Sequence, residues 1–489
     1  MSSLLAIDWG VIAILLPLAG GTACVLWPAL SKPAGLISVT GVVLAIAGLG
    51  WRIMENGIYR HAVGGWGAPL GIDLFADGLS LIMLIMTALV GLGISFYARR
   101  YFSPRDAVRF WPIWLFLLAA LNALFLSADI FNLYVTLEMT GLAAVALTAL
   151  TGRIDALGGA MRYLLATLLG SLAYLLGVAL LYHDAGSVDI ATLAQRIQPN
   201  AAVWTALGLM SAGLALKTAL FPLSFWLPPA HASAPAPVSA LLSALVVKAS
   251  FYILLRLWLE LFGDFAQGAS MLLGLLGAAA ILWGSLQALR QTRIKLLVAY
   301  STVAQIGYLF LIYPLASAGN GIAAGMAAYL AFSHALAKSA MFLAAGNLML
   351  FGGHDRIADL DRAVQRLPLT VAAFALAGVS IMGLPPSSGF VGKWLLLDAA
   401  MSQGRWDLAV VMIIGGLLAA GYIFKVLGYA FTQAEVPHDA RAVPAGMEWA
   451  ALLLAIGAIL LGFMASEIFA LIAVDLVVNA DEAGTVWTA

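Results

Sequence analysis

The sequence predicts an all-α integral membrane protein of about 14 transmembrane helices, built as two inverted five-helix repeats (helices 4–8 and 9–13) with helices 7 and 12 broken. Three observations predict this. The 489 residues are 63% hydrophobic and only 10% charged, with a mean hydropathy of +1.00, whereas soluble domains carry about 25% charged residues. Apolar stretches recur at the roughly 20-residue length that crosses the hydrocarbon core, and the alternating ten-residue blocks of a membrane barrel are absent. Basic residues fall alternately in rich and poor loops, as the positive-inside rule demands of a correct layout.

The first span, 9–29, follows MSSLLAID, which has no Lys or Arg and so lacks the basic n-region of a cleavable leader; the span is expected to be retained. It contains the single cysteine, Cys24, which permits neither an intrachain disulfide nor a Cys-based metal site. Lys32 separates it from span 35–52, and a loop with Arg52 and Arg60 leads to 78–98. Arg99, Arg100, Arg105 and Arg109 precede 110–126, a short polar run leads into 129–150, and Arg153 and Arg162 lead into 158–182. Arg196 precedes 204–226, which is followed by 237–262 and 268–289; Arg290, Arg293 and Lys295 then introduce 297–316 and 321–350. Arg356, Arg362 and Arg366 introduce 368–400, Arg405 introduces 407–431, and Arg441 introduces 447–474. One set of alternate loops holds 14 basic residues and the other 4. That bias places both termini outside the cytoplasm, in keeping with acidic Asp8, Asp481 and Glu482 near the ends. The expected organisation is one polytopic domain, 1–489, with an N-terminal three-helix part (1–109), a first repeat (110–262), a second repeat (268–431), and a last helix with tail (447–489).

Six basic residues remain inside spans: Lys217, Lys248, Arg256, Lys338, Lys393 and Lys425. Arg256 lies toward a helix end, where a long side chain snorkels to the interface. The other five are all lysine, although Arg outnumbers Lys by 17 to 7 over the chain. An intramembrane charge costs about 2.5–3.5 kcal/mol on insertion scales and marks an ion pathway. Lysine, unlike arginine, can surrender its proton when buried, so the choice suits proton exchange. Glu138 is the one mid-span acid, and its expected partner is Lys217; Asp398 and Glu467 are expected at the interface.

The breaks coincide with these residues. Lys217 precedes Phe221-Pro222, and GLPPSSGFVGK carries the run Gly383 to Gly389 directly before Lys393. Proline removes a backbone donor, and non-helical backbone at membrane depth is tolerated only beside protein or a water-filled cavity. His334 and Lys338 are one turn apart on one helix face. His231, in PPAHASAPAPVSA, is expected at the cytoplasmic mouth between helices 7 and 8, either as a proton uptake point or as a loop cap. Lys425 repeats the place of Lys248 at the end of the second unit and ranks behind the others. His61, His183, His354 and His438 fall in loops and receive no role. With no P-loop, dinucleotide fingerprint, HExxH or paired-Cys motif, no cofactor or metal is expected. The zero net charge gives no case for nucleic acid.

DIFNLYVTLEMTG with Glu138, the Lys217–HASAPAPVSA–Lys248 segment, SHALAKSAMFLAAG with His334 and Lys338, and GLPPSSGFVGKW with Lys393 resemble the antiporter-like subunits shared by Mrp-type Na⁺/H⁺ antiporters and respiratory complex I. The resemblance covers nearly the whole chain and is nearest to the D branch of the Mrp subunits, with the N branch of complex I next; Lys393 disfavours the M branch. The expected lack of a lateral helix after the fourteenth span disfavours the L branch of complex I and the A branch of Mrp. The resemblance implies a Glu138–Lys217 ion pair near the cytoplasm, proton transfer along Lys248, His334 and Lys338, and an exit at Lys393. It also implies lateral assembly with homologous and small membrane subunits in a bacterial-type inner membrane, with H⁺ and Na⁺ as the ions. Alternatives left open are a proton-pumping subunit of complex I or a hydrogenase, and a membrane subunit coupling the proton gradient to a soluble inorganic-carbon uptake partner.

Overall fold

The computed structural model describes residues 7–315, 321–434 and 441–473. His438, Asp481, Glu482 and the tail beyond 473 lie outside the described residues. The chain runs α1 (Trp9–Leu26), α2 (Ser31–Asn56), a hairpin of β1 (Tyr59–Ala62) and β2 (Asp73–Ala76), α3 (Gly78–Tyr101), α4 (Pro104–Phe125), α5 (Ile130–Thr148) and α6 (Ile154–Ala185). A short helix, Ile190–Arg196, precedes α7, whose pieces Ala201–Thr218 and Leu227–Ser233 are joined by the 3₁₀ turn Leu223–Trp226. Then follow α8 (Ala236–Phe262), α9 (Gln267–Arg290), α10 (Ile294–Leu315), α11 (Gly321–Gly352), α12 in pieces Pro368–Met382 and Ser388–Ser402, α13 (Trp406–Phe431) and α14 (Ala445–Leu460). Thirteen of these are long and apolar enough to cross a bilayer, and the twelfth falls short because its break divides it.

Both breaks are built by one backbone device. The first piece of α7 closes on Ala219 (φ 61°), with Leu220 N–H bonded to the Ala215 carbonyl at 3.0 Å. The first piece of α12 closes on Gly383 (φ 82°), with Leu384 N–H bonded to the Val379 carbonyl at 3.1 Å. Each is a Schellman closure, which satisfies the last carbonyls through one left-handed residue. A proline two or three positions on then prevents the helix from resuming.

Two expected boundaries move. The PPAHAS run, expected as a loop, is the second piece of α7. Pro228 and Pro229 sit in its first turn, where a missing N–H leaves no bond unmade. The fourteenth span, expected as 447–474, stops at Leu460 and turns through Leu461–Phe463 before a further helix at 465–473. Gly462 lies there against the α12 break, where a Cβ would come within 2.1 Å of the Pro386 carbonyl oxygen.

Helices α8, α10 and α11 form the centre of the bundle: 100%, 89% and 83% of their most apolar windows are buried, against 33% for α1 and α13. Lys248, His334 and Lys338, carried by these helices, therefore lie inside the bundle. In the first half α6 and α7 cross at Gly170 and Gly213, each lying so close to the other's carbonyl that no Cβ would fit. That close approach brings Lys217 of α7 against α6.

Candidate functional site

Glu138 on α5 and Lys217 on α7 stand 3.6 Å apart, with side chains 18% and 5% exposed. Each takes a hydroxyl partner from α6. Lys217 Nζ donates to Thr167 Oγ1 at 2.7 Å, and Ser171 Oγ donates to Glu138. Thr167 and Ser171 are four residues apart and so share one helix face. The expected pair is thus present, held at ion-pair range by two hydroxyls that can retain either charge when the other leaves.

The second group lies among α8, α10, α11 and α12. Lys248, fully buried, donates from Nζ to the Ser243 carbonyl within the π-helical turn Leu242–Val246. Ser243 Oγ meets Thr302 Oγ1 of α10 at 2.9 Å. Lys338 on α11 is also fully buried and donates to the Val298 carbonyl at 3.2 Å and to Ser301 Oγ. His334, one turn earlier, is 3% exposed, and neither ring nitrogen has a protein partner. Lys248, Lys338 and Lys393 all act electrostatically on His334. Among the described residues no carboxylate pairs with Lys338, whose hydrogen bonds go to Val298 and Ser301.

Lys393 terminates this group. Its Nζ donates to the Ile381 carbonyl at 2.6 Å and lies 4.3 Å from the centre of the Tyr308 ring. It lines a cavity of about 150 Å³ with Gly383, Phe390, Trp394 and Met412. Ser388 at the break donates to Ser333 Oγ at 2.7 Å and links α12 to α11 one residue from His334.

Other sequence-predicted residues fall elsewhere. His231 is not at an open mouth: it is fully buried in the second piece of α7 and stacked on Phe342 at 4.7 Å. Lys425 donates to the carbonyls of Leu289 and Gln291 at 2.8 and 2.7 Å, capping the end of α9 away from the central group. Arg256 does not snorkel but is buried at 6% exposure. Its guanidinium pairs with Asp77, Glu260, Ser80 and Tyr252, so a fork of partners replaces water. Asp398 and Glu467 are exposed.

Sequence reasoning misses Lys295, which it places in a cytoplasmic loop. The residue begins α10, is 1% exposed, donates to the Ala234 carbonyl, and acts on His231. Its place directly after Arg290 and Arg293 gives it the look of a topology signal. Thr167, Ser171, Ser243 and Ser301 escape notice because hydroxyls are common in spans and carry no signal until partners are known.

These features define a multi-pass helical protein with two broken helices and a run of ionisable groups between them. Residues 127–420 match the family model described as NADH:quinone oxidoreductase/Mrp antiporter, TM, and the chain belongs to that family. It is 35% identical over 486 residues to the N subunit of NADH-quinone oxidoreductase from Desulforudis audaxviator, covering 94% of this chain and 96% of that one. It is 30% identical over 475 residues to the D subunit of the Na(+)/H(+) antiporter from Alkalihalophilus pseudofirmus, covering 94% of each. A chain in the structure of the Mrp complex from Dietzia sp. superimposes with a TM-score of 0.88 at 24% identity over 96% of both chains, a likeness of fold.

Proposed function

We propose that this chain is the proton-translocating subunit of a multi-subunit monovalent cation (Na⁺)/H⁺ antiporter of Mrp type. The observation that carries the reading is the set of Lys248, His334 and Lys338, buried together, with half-buried Lys393 at its edge. Full positive charge on all three buried groups cannot be sustained there, since each buried ion costs several kcal/mol of desolvation. Such a set is suited to share a smaller number of protons and pass them along. Both imidazole nitrogens of His334 need partners, and water meets that need in a polar interior. Glu138 and Lys217 act as the gate: separation removes the anion that stabilises the Lys217 ammonium, and the proton moves on toward Lys248. His231 and Lys295 serve the uptake side, and Lys393 the release side.

The chain works in the inner membrane beside homologous and small membrane subunits, with both termini outside the cytoplasm. The two units 110–262 and 268–431 each supply one broken helix. The test is proton flux in vesicles holding the intact complex, with and without a Na⁺ gradient. The reading expects Na⁺-dependent flux that Glu138→Gln and Lys217→Ala each abolish; wild-type flux in both variants would sink it. The 35% identity to an N subunit of NADH-quinone oxidoreductase favours a second reading, a proton pump driven by electron transfer in a redox complex. Flux that requires an electron donor and ignores Na⁺ would select it.

A further inference from the structure

On the face that carries the hairpin, three loop segments are drawn together by backbone pairing. Strand β2 bonds the end of α4 through Phe75 N–H to the Leu126 carbonyl at 2.8 Å, with Leu74 bridged to Ser127. The next residues bridge the segment after α6: Ile130 N–H meets the Val188 carbonyl at 2.9 Å, and Ile190 N–H meets the Ala128 carbonyl at 3.1 Å. These two bonds flank Asp129 and Asp189, which are bridge partners. In a pair of this non-hydrogen-bonded type the Cα atoms lie about 4.5 Å apart and the side chains stand close together. Like charges directly opposite destabilise such a pair.

The carboxylates are buried as well. Asp73, Asp129 and Asp189 are 5%, 7% and 5% exposed. One guanidinium serves the cluster: Arg60 is 2.7 Å from Asp73 Oδ2 and 3.6 Å from Asp189 Oδ2. Asp129 Oδ1 caps α5 by accepting from Asn132 N–H at 2.6 Å, and Asp189 Oδ1 accepts from Thr192 N–H at 2.8 Å. That leaves Asp129 Oδ2 and Asp73 Oδ1 buried without a hydrogen-bond partner. The neighbouring charges do not correct the imbalance. Glu260 of α8 feels Asp189, and Arg256 is already committed to Asp77 and Glu260. Among the described residues no group of three His, Cys, Asp or Glu is placed to hold a metal ion.

We propose that Asp129 carries a proton and shares it with the carboxylates of Asp189 and Asp73, so that the cluster is a proton-binding site on the hairpin face. A proton on Oδ2 turns an orphaned acceptor into a donor for the neighbouring carboxylate and removes the like-charge contact in the bridge. The physical terms agree: burial pushes the Asp129 carboxyl up, the Asn132 and Phe131 amides pull it back, and the charges of Asp189 and Asp73 push it up again, for a net rise. The site is set at the head of the helix that carries Glu138, nine residues on, or about 14 Å along a helical axis. It stands independently of which ion the complex exchanges.

The test uses infrared difference spectra of the intact complex in lipid across pH 5 to 8, with Asp129→Asn, Asp189→Asn and, as an exposed control, Glu467→Gln. Asn is as good a helix cap as Asp, so the first variant keeps the fold. The expected result is a carboxylic-acid C=O band that titrates in the wild type and in Glu467→Gln and is missing from Asp129→Asn. In Asp189→Asn the band should titrate roughly one pH unit lower, because a like charge has been removed. A group whose pKa is raised on folding gives stability that is full at low pH and lost as pH rises; wild-type melting temperature should therefore fall relative to Asp129→Asn as pH rises from 5 to 8. A band that persists in Asp129→Asn, or a band abolished by Na⁺ at constant pH, would overturn the proposal.

Discussion

Lys393 Nζ donates to the main-chain carbonyl of Ile381 at 2.6 Å. In an unbroken helix that carbonyl would accept from the residue four positions on, which is Pro385 and has no N–H. The side chain after the break thus satisfies a group the break sets free. Ile381 stands two residues before the left-handed Gly383, the place that Lys217 holds before Ala219. The two lysines are therefore not equivalent positions: one precedes its break, and the other reaches back across its own.

Lys393 is a donor to Ile381 and, in the proposed path, also a base, and two substitutions separate the two roles. Lys393→Ala removes both, leaves the Ile381 carbonyl only the long 3.4 Å bond from Gln305 Nε2, and should lower stability by about 1 kcal/mol, besides ending flux. Lys393→Arg keeps a donor that cannot be deprotonated. It should hold the wild-type melting temperature and still lose proton flux in vesicles; full flux in the arginine variant would take Lys393 out of the path.

Gly383 is required twice over. Its φ of 82° suits glycine, and an added Cβ would meet Lys393 Cδ at 2.8 Å. Gly383→Ala should lose about 1–2 kcal/mol from the left-handed backbone alone and should also displace Lys393. Thermal unfolding and proton flux measured on one preparation should fall together.

The hydroxyls of α6 hold the Glu138–Lys217 pair. Removing a hydrogen bond to a charged group costs about 1.5–3 kcal/mol, so Ser171→Ala and Thr167→Ala should each slow flux by about ten-fold or more, at 1.4 kcal/mol per decade. Ser171→Thr, which keeps the hydroxyl, should recover most of the rate. Unchanged flux in both alanine variants would show that the pair needs no hydroxyl support.

Asp77, just ahead of α3, supplies a pH prediction. Burial disfavours its charge, but the Arg256 guanidinium and the Ser80 amide outweigh burial and hold the carboxyl below its ordinary value. A carboxyl held down on folding stabilises the protein above its unfolded value of about 3.9 and loses that contribution as pH falls. Acidification from pH 6 to 3 should therefore lower the melting temperature of the wild type more than that of Asp77→Asn. Arg256→Leu should be far more damaging, by about 3–5 kcal/mol, because it strands the buried carboxylate of Asp77.

Much of the molecule is legible in one dimension. Span number follows from apolar length and loop charge. Glu138–Lys217 follows because a lone intramembrane acid beside an intramembrane base has few other partners. The breaks follow from proline. The misread elements share a cause. His231 looks exposed because a Pro-rich run resembles a loop, yet its prolines occupy a helix's first turn. Arg256 looks like a snorkelling side chain because Asp77 is far away in sequence. Lys295 looks like a topology charge because its neighbours Arg290 and Arg293 are.

The sequence by itself determined the environment, the number of spans and the chemistry of the buried row, since these depend on residue type and local spacing: hydrocarbon excludes charge, and proline lacks a donor. The tertiary structure alone decided which groups meet. Thr167 and Ser171 reach the Glu138–Lys217 pair because Gly170 and Gly213 let α6 and α7 touch. Asp129 confronts Asp189 because a bridge joins segments 60 residues apart in sequence. Partnership across helices rests on crossing geometry and backbone pairing, which no single stretch of chain contains.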